Sequence, residues 1–154
     1  FSRLSKDADL CLIGPLESGM SKPMQSKVQH FGAVPISALP DYYRSADIFC
    51  LPSWEEGFPL VILQAMASGL PVVTTDASGA KDIIKPGIEG EIVAAGDIDA
   101  LAQTLECLLE DPVRAQEMGV AGRARVNDGF DWVSYGSRAY NIYKGLIGER
   151  SSPD

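Results

Sequence analysis

The chemistry that the sequence offers is concentrated in residues 52–60, Pro-Ser-Trp-Glu-Glu-Gly-Phe-Pro-Leu. Two carboxylates, Glu55 and Glu56, follow an apolar run, and Gly57 permits a tight turn before a helix. The start of that helix leaves backbone amides without partners, here those of Phe58, Leu60 and Val61. Such amides and the positive end of the helix dipole bind phosphate, although the same residues also suit a plain strand-to-helix turn.

Other residues that could carry chemistry stand alone. His30 is the single histidine and has no nucleophile pattern near it, so we expect a structural role. Asp76 and Ser78 follow a strand-like run and are expected to cap a turn. The sequence contains no metal-ligand spacing, nucleophile elbow or glycine-rich phosphate loop, and we predict no metal site.

Composition bounds the class of protein. The 154 residues are 45% hydrophobic and 22% charged, which suits one folded domain and excludes a disordered or collagen-like chain. Acidic residues outnumber basic ones by 21 to 13, so the formal net charge is −8 and nucleic acid is not an expected partner. We assign residues 1–150 to a single domain and residues 151–154 to a disordered tail.

Cysteine usage and hydropathy bear on the compartment. The three cysteines lie far apart in the sequence: Cys11, Cys50 and Cys107. Two of them stand in apolar runs, a pattern typical of buried reduced thiols in a cytoplasmic protein. The uncharged stretch 57–75 is interrupted by Pro59, Gln64 and Pro71, so we predict no transmembrane segment. The chain begins at Phe1 without a signal-peptide pattern, and we expect it to be part of a longer protein.

Strands and helices alternate along the predicted fold. Short apolar runs predict five strands, at residues 9–13, 28–31, 47–51, 71–75 and 90–93. Helices are predicted at 38–44 and 60–68 and after the strands, with starts marked by Ser37, Pro59, Asp97, Asp111 and Asp131. Helix 60–68 is apolar all round and should be buried, and the aromatic residues of the last helix should mainly pack inward. The pattern predicts an α/β, doubly wound, mostly parallel sheet with ligands at the carboxyl ends of its strands.

Residues 46–76, Ala-Asp-Ile-Phe-Cys-Leu-Pro-Ser-Trp-Glu-Glu-Gly-Phe-Pro-Leu-Val-Ile-Leu-Gln-Ala-Met-Ala-Ser-Gly-Leu-Pro-Val-Val-Thr-Thr-Asp, contain the longest recognisable motif. This run resembles the signature of the retaining group 1 (family 4) glycosyltransferases of the GT-B fold. Further matches follow the family's order and spacing, at residues 12–14, 31–34, 79–84, 87–90 and 130–132. The resemblance covers nearly the whole chain. It implies the Rossmann-like, nucleotide-sugar-binding carboxy-terminal half of a two-domain enzyme, whose amino-terminal acceptor half is missing. Because the family's final helix often reaches back to the other half, the resemblance also implies that part of the aromatic face of the last helix is exposed here.

The resemblance also implies roles for particular residues. The family's signature has two Glu residues eight positions apart. The first of them contacts the donor sugar, and its position here is Glu56. The sugar and diphosphate would be held around Gly57, Phe58, Pro59, Leu60 and Val61. The base and ribose would lie near Gly32, Ala33, Val34 and Pro35. The donor is a nucleoside-diphosphate sugar, and no metal or other cofactor is implied.

Two departures from the family pattern bear on activity. Gln64 stands where the family usually has a second Glu that hydrogen-bonds the ribose. Because charge-assisted hydrogen bonds are roughly twice as strong as neutral ones, we expect weaker donor binding. The family's diphosphate-neutralising Arg and Lys lie upstream of the segment where this chain starts, and Arg3 and Lys6 do not match them. We therefore expect no turnover from this chain alone.

Two functions of different classes remain open. The first is transfer of a sugar from a nucleoside-diphosphate sugar to an acceptor hydroxyl, carried out by the longer protein in the cytoplasm or at the membrane surface through its missing half. The second is a catalytically degenerate, glycosyltransferase-like scaffold or partner-binding module, which Gln64 weakly supports. A receiver or flavodoxin-like domain is disfavoured because the first predicted strand is followed by neither an acidic cluster nor a phosphate loop.

Overall fold

The computed structural model describes residues 2–4, 7–15 and 27–149. Five strands lie within these residues: β1 (Leu10–Leu12), β2 (Val28–His30), β3 (Phe49–Leu51), β4 (Val72–Thr75) and β5 (Gly90–Val93). Each falls inside one of the five predicted apolar runs, so the strand predictions are confirmed. The predicted tail at 151–154 and Lys6 lie outside the described residues.

The described strands form two sheets in which all neighbours are parallel. β1 pairs with β2, and β4 lies between β3 and β5. Strand β4 is buried along its whole length, as its continuous run of β-branched residues predicts for a strand covered on both faces. The carboxyl ends of β3, β4 and β5 therefore meet at one edge, where the loop 52–59 begins.

The described residues also form five α-helices: α1 (Leu39–Arg44), α2 (Leu60–Ala67), α3 (Ile98–Glu110), α4 (Pro112–Asn127) and α5 (Trp132–Glu149). Three of these helices follow an aspartate whose carboxylate accepts a hydrogen bond from a backbone amide of the first turn. Asp97 accepts from Ala100 at 2.9 Å, and Asp111 accepts from Arg114 at 3.0 Å. Asp131 accepts from the amides of Val133 and Ser134. These three predicted caps are confirmed.

The predicted start of α1 is wrong by one residue. Ser37 does not cap α1, because residues 36–38 form a 3₁₀ turn and α1 starts at Leu39, with Pro40 in its first turn. The predicted start of α2 at residue 60 is confirmed, although Pro59 lies immediately before the helix and not at its first helical position. It precedes α2 in an extended conformation, with ψ of 99°, and its carbonyl oxygen accepts a hydrogen bond from Ile62.

The hydrophobic core lies between α2 and the sheet. Ile62, Ala65 and Met66 of α2 are fully buried, but Leu60 and Val61 in its first turn are 53% and 37% exposed. The prediction that α2 is buried all round is therefore wrong for its first turn, which opens onto the loop 52–59. A second cluster joins β4 to α3 and α4 through Val73, Leu108, Ala115 and Met118.

Helix α4 crosses close to the end of α2. A Cβ atom on Gly119 would lie 2.0 Å from the carbonyl oxygen of Gly69, a distance no side chain can occupy. A Cβ atom on Gly122, one turn further along α4, would lie 3.5 Å from Cγ of Met66, which is an ordinary contact distance. Gly119 therefore permits the close packing of two backbones that fixes α4 against the core.

Helix α5 and the cysteines differ from expectation. The large apolar side chains of α5 between Trp132 and Ile147 are 56–79% exposed, so the prediction that its aromatic residues mainly pack inward is wrong. Helical periodicity marks an apolar face without showing what covers it.

All three cysteines are free thiols; Cys50 is half-buried, whereas Cys11 and Cys107 are exposed, against the expectation of buried thiols. Among the described helices, none has the length and hydropathy needed to cross a bilayer.

Candidate functional site

The loop after β3 is tied to the loop after β4 by backbone hydrogen bonds. The amide of Glu56 donates to the carbonyl oxygen of Ala77 at 3.1 Å. The amide of Gly79 donates to the carbonyl oxygens of Gly57 at 2.8 Å and of Glu56 at 3.3 Å. An isolated parallel bridge between Glu56 and Ser78 accompanies these bonds, which fix the backbone on both sides of the Glu56–Gly57 peptide.

Side chains of β4 hold the start of the same loop. Thr74, which is fully buried, donates through its hydroxyl to the carbonyl oxygen of Leu51 at 3.0 Å. Thr75 donates to the carbonyl oxygen of Ser53 at 2.5 Å. Ser78 accepts from the amide of Ala80, so its predicted capping role is confirmed. Because buried carbonyl groups need partners, these contacts fix where the loop leaves the sheet.

Four backbone amides at the start of α2 are available to a ligand. Within the described part of the chain, no protein group accepts a hydrogen bond from the amides of Gly57, Phe58, Leu60 and Val61. The first amide of this turn with a partner is that of Ile62. Free amides combined with the positive end of a helix dipole form an anion-binding arrangement.

The two loop carboxylates lie beside these amides in the chain and are exposed. Neither side-chain carboxylate has a hydrogen-bond or ion-pair partner among the residues that the structure describes. Trp54 lies against the turn after β5, where a Cβ atom on Gly96 would meet its indole ring at 2.4 Å. Glu56 is therefore held by its backbone, while its carboxylate is free to contact a ligand.

Gln64 lies one turn further along α2 and is half-buried. The hydroxyl of Tyr43 donates a hydrogen bond to its side-chain oxygen Oε1 at 3.2 Å. Tyr43 is only 6% exposed, and its ring meets that of Phe49 edge-on at a centroid distance of 5.8 Å. Burial raises the pKa of Tyr43, so the phenol remains a hydrogen-bond donor at neutral pH.

The loop after β2 carries the residues assigned to base and ribose. Gly32 adopts a positive φ of 64°, and its carbonyl oxygen accepts a hydrogen bond from Gly14 at 2.8 Å. Ala33 and Pro35 are exposed and Val34 is half-buried.

Helix α1 contacts both parts of the candidate site through adjacent residues. Tyr42 packs edge-on against Phe31, next to the loop after β2, with ring centroids 5.0 Å apart. Tyr43 contacts Gln64 of α2. Tyr43 belongs to no sequence motif, and its only signal in the sequence is an aromatic residue on the inner face of a short predicted helix.

The remaining candidates have structural partners. The ring nitrogen Nε2 of His30 lies 2.7 Å from the carbonyl oxygen of Gly14, in agreement with the expected structural role. Asp76 accepts a hydrogen bond from the amide of Ala95, so it caps the turn after β5. Among the described residues, no three His, Cys, Asp or Glu side chains come together as a metal site would require.

A cavity of about 400 Å³ lies at the opposite edge of the sheet. It opens between the amino ends of β3 and β4 and the junction of α3 and α4, lined by residues that include Asp47, Leu70 and Leu108. This position is away from the carboxyl ends of the strands, where parallel α/β sheets bind ligands. The loop 52–59 and the start of α2 therefore remain the candidate site.

A family model described as Glycosyl transferases group 1 matches residues 1–111. The chain belongs to the group 1 glycosyl transferases. A GDP-mannose-dependent monoacylated alpha-(1-6)-phosphatidylinositol monomannoside mannosyltransferase from Corynebacterium glutamicum is 38% identical over 71 residues, which cover 46% of this chain and 18% of that protein. The chain thus spans much less than half of the length of this curated relative.

Solved structures extend the similarity of this glycosyl transferase chain to its three-dimensional fold. Sucrose-phosphate synthase from Thermosynechococcus elongatus is 28% identical, with a TM-score of 0.80 over 92% of this chain and 39% of that one. The C-terminal domain of a group 1 glycosyl transferase from Francisella tularensis is 26% identical, with a TM-score of 0.65 over 71% of this chain and 56% of that one. The predicted GT-B type, Rossmann-like α/β fold is confirmed.

Proposed function

We propose that the chain is the nucleotide-sugar-binding, carboxy-terminal half of a retaining glycosyltransferase. In the whole protein, the bond between the anomeric carbon and the diphosphate oxygen breaks, and a new bond forms from that carbon to an acceptor hydroxyl oxygen on the same face. The proton of the acceptor passes to the departing diphosphate. The observation that carries this proposal is the set of four unpartnered amides at the start of α2.

The site residues take their roles from this placement of the diphosphate. The amides around Gly57 and Leu60 bind the diphosphate and stabilise the charge that develops on it as the sugar leaves, with no metal. Glu56, which has an exposed carboxylate on a fixed backbone, orients the donor sugar. Gln64 binds the ribose, and residues 32–35 line the base. Pro59 supplies no amide, but its extended backbone directs the chain into α2.

The acceptor and the remaining catalytic groups belong, on this proposal, to the other half of the protein. The matched segment covers 18% of the GDP-mannose-dependent mannosyltransferase, and the chain covers 39% of the sucrose-phosphate synthase. Catalysis requires a positioned acceptor as well as a bound donor. We therefore expect the 154-residue chain to bind donor without transferring sugar.

Sugar transfer by the whole protein tests the proposal against the scaffold alternative. Product formation would be followed by NMR with UDP-, GDP- and ADP-sugars, so that the anomeric configuration of product and donor can be compared. Glu56→Ala should abolish transfer, whereas Glu55→Ala, which removes the neighbouring exposed carboxylate, should retain most of it. A scaffold, which Gln64 in place of Glu would suit, predicts no transfer by the wild type and an unchanged cellular phenotype in Glu56→Ala.

A further inference from the structure

Gln64 has an amide side chain whose two ends differ in chemistry. Its oxygen Oε1 only accepts hydrogen bonds, and its nitrogen Nε2 only donates them. A carboxylate at the same position would present acceptors in both directions. Which end of the Gln64 amide faces a ligand therefore decides what kind of group this position recognises.

The neighbouring core gives the two ends different surroundings. The hydroxyl of Tyr43 donates to Oε1 at 3.2 Å. Among the residues that the structure describes, none accepts a hydrogen bond from Nε2. The buried side of the amide is thus the oxygen side, and the nitrogen side is the one left for a ligand.

Tyr43 is itself held rigidly. It is 6% exposed, belongs to the same core cluster as Ile62 and Met66, and packs edge-on against Phe49 of β3. A phenol in this position has one orientation of its oxygen relative to α2, because the ring cannot move without opening the core. Its hydroxyl therefore acts on the amide of Gln64 from a fixed direction.

We propose that Tyr43 is a positioning residue that fixes the Gln64 amide with Nε2 towards the nucleotide, so that the site recognises a ribose hydroxyl through the hydroxyl's oxygen. The inference rests on the proposed function, since it requires a nucleotide at this site. Gln64 donates to the lone pairs of the hydroxyl, whereas a carboxylate would accept the hydroxyl proton. The substitution thus changes the direction of the hydrogen bond as well as its strength.

Fluorinated nucleotides distinguish the two directions. Fluorine in place of a hydroxyl accepts a weak hydrogen bond and donates none. The whole protein would be titrated with UDP, GDP and ADP, and the tightest of these compared with its 2′- and 3′-deoxy and its 2′- and 3′-fluoro analogues. At the hydroxyl that Gln64 contacts, the wild type should bind the fluoro form about twofold to fivefold more tightly than the deoxy form. In Gln64→Glu the preference should reverse, because fluorine would face a carboxylate.

The role of Tyr43 is tested by a double-mutant cycle in the same titrations. Tyr43→Phe removes only the hydroxyl and should weaken nucleotide binding about threefold to tenfold. In the Gln64→Ala background the same change should have no effect on nucleotide affinity, because the amide through which it acts is gone. Thermal unfolding of each variant separates loss of folding from loss of binding.

The possible outcomes separate the proposed function from the positioning role of Tyr43. Absence of nucleotide binding by the whole wild-type protein would overturn both the proposed function and this inference. Nucleotide binding with an equal effect of Tyr43→Phe in both backgrounds would overturn the positioning role and leave the proposed function intact. A wild type that rejects the fluoro analogue as Gln64→Glu does would show that Oε1 faces the nucleotide, which also overturns the inference.

Discussion

The backbone amide of Gly79 donates a hydrogen bond to the carbonyl oxygen of Gly57 at 2.8 Å. This bond joins the turn after β4 to the loop after β3, immediately before the free amides of α2. Because the carbonyl groups of residues 56 and 57 point to Gly79, the amides that follow are left for a ligand. The candidate site is thus a product of two neighbouring strand ends.

Gly79→Ala should disrupt the loop and weaken nucleotide binding. A Cβ atom at this position would lie 2.4 Å from the Gly57 oxygen, so the two loops must separate. We expect at least a tenfold loss of nucleotide affinity, measured by calorimetry. Gly145→Ala in α5, where nothing lies within 4 Å of the added carbon, is the matched control and should bind as the wild type does. Equal affinities of the two variants would contradict the clamping role of Gly79.

Gly119→Ala should destabilise the fold without contacting the site. The added carbon would lie 2.0 Å from the Gly69 carbonyl oxygen, and overpacking of this kind costs about 1–3 kcal/mol of the free energy of unfolding. Gly122→Ala on the same helix meets only ordinary contacts and should be neutral or stabilising through helix propensity. Urea unfolding of both variants measures the difference, and equal stabilities would argue against close α2–α4 contact.

Gln64→Glu should tighten nucleotide binding. A carboxylate at this position accepts charge-assisted hydrogen bonds from ribose hydroxyls, and these are roughly twice as strong as neutral ones. Titration of the whole protein with the nucleoside diphosphate should show a several-fold lower dissociation constant. An unchanged or higher dissociation constant would count against placing Gln64 at the ribose.

Cys50 should make stability fall in alkaline solution. Burial raises the pKa of its thiol from 9.0 to about 11, so the thiolate forms at lower pH in the unfolded chain than in the folded one. The stabilising contribution is complete below pH 9 and is lost as the pH rises towards 11. Over this pH window the unfolding free energy of the wild type should therefore fall by about 2 kcal/mol relative to that of Cys50→Ala. Cys107→Ala, an exposed site, serves as control, and parallel curves for wild type and Cys50→Ala would refute the assignment.

Local sequence signals predicted much of this architecture. Apolar runs located all five strands, and Asp97, Asp111 and Asp131 capped their helices because a cap depends only on residues three positions away. The loop at Glu56 was recognisable as a motif. That this loop binds the donor stays a prediction.

Contacts between distant residues were beyond the sequence. The hydroxyl of Tyr43 reaches Gln64 across 21 positions, and Gly79 reaches Gly57 across 22, so neither follows from local spacing. The apolar face of α5 was assigned to the core because periodicity alone does not identify its neighbours. Pro59 was expected at the first helical position and instead lies just before α2, because proline is equally suited to an extended position before a helix.

The central claim is that backbone amides at the start of α2 bind the diphosphate, and Leu60→Pro tests it most directly. Proline is favoured in the first turn of a helix, and Pro59 already holds the extended conformation that a following proline requires, so the change removes one amide and leaves the helix intact. Leu60→Ala is the matched control, because it shortens the same half-exposed side chain and keeps the amide.

Calorimetric titration of the whole protein with UDP, GDP and ADP would compare the wild type with these two variants. We predict that the wild type and Leu60→Ala bind one nucleotide with similar affinity. Leu60→Pro should bind it at least tenfold more weakly, the effect of losing a hydrogen bond to a charged group of about 1.5–3 kcal/mol. Equal affinities of Leu60→Pro and Leu60→Ala, or no binding of any nucleotide by the wild type, would contradict the account.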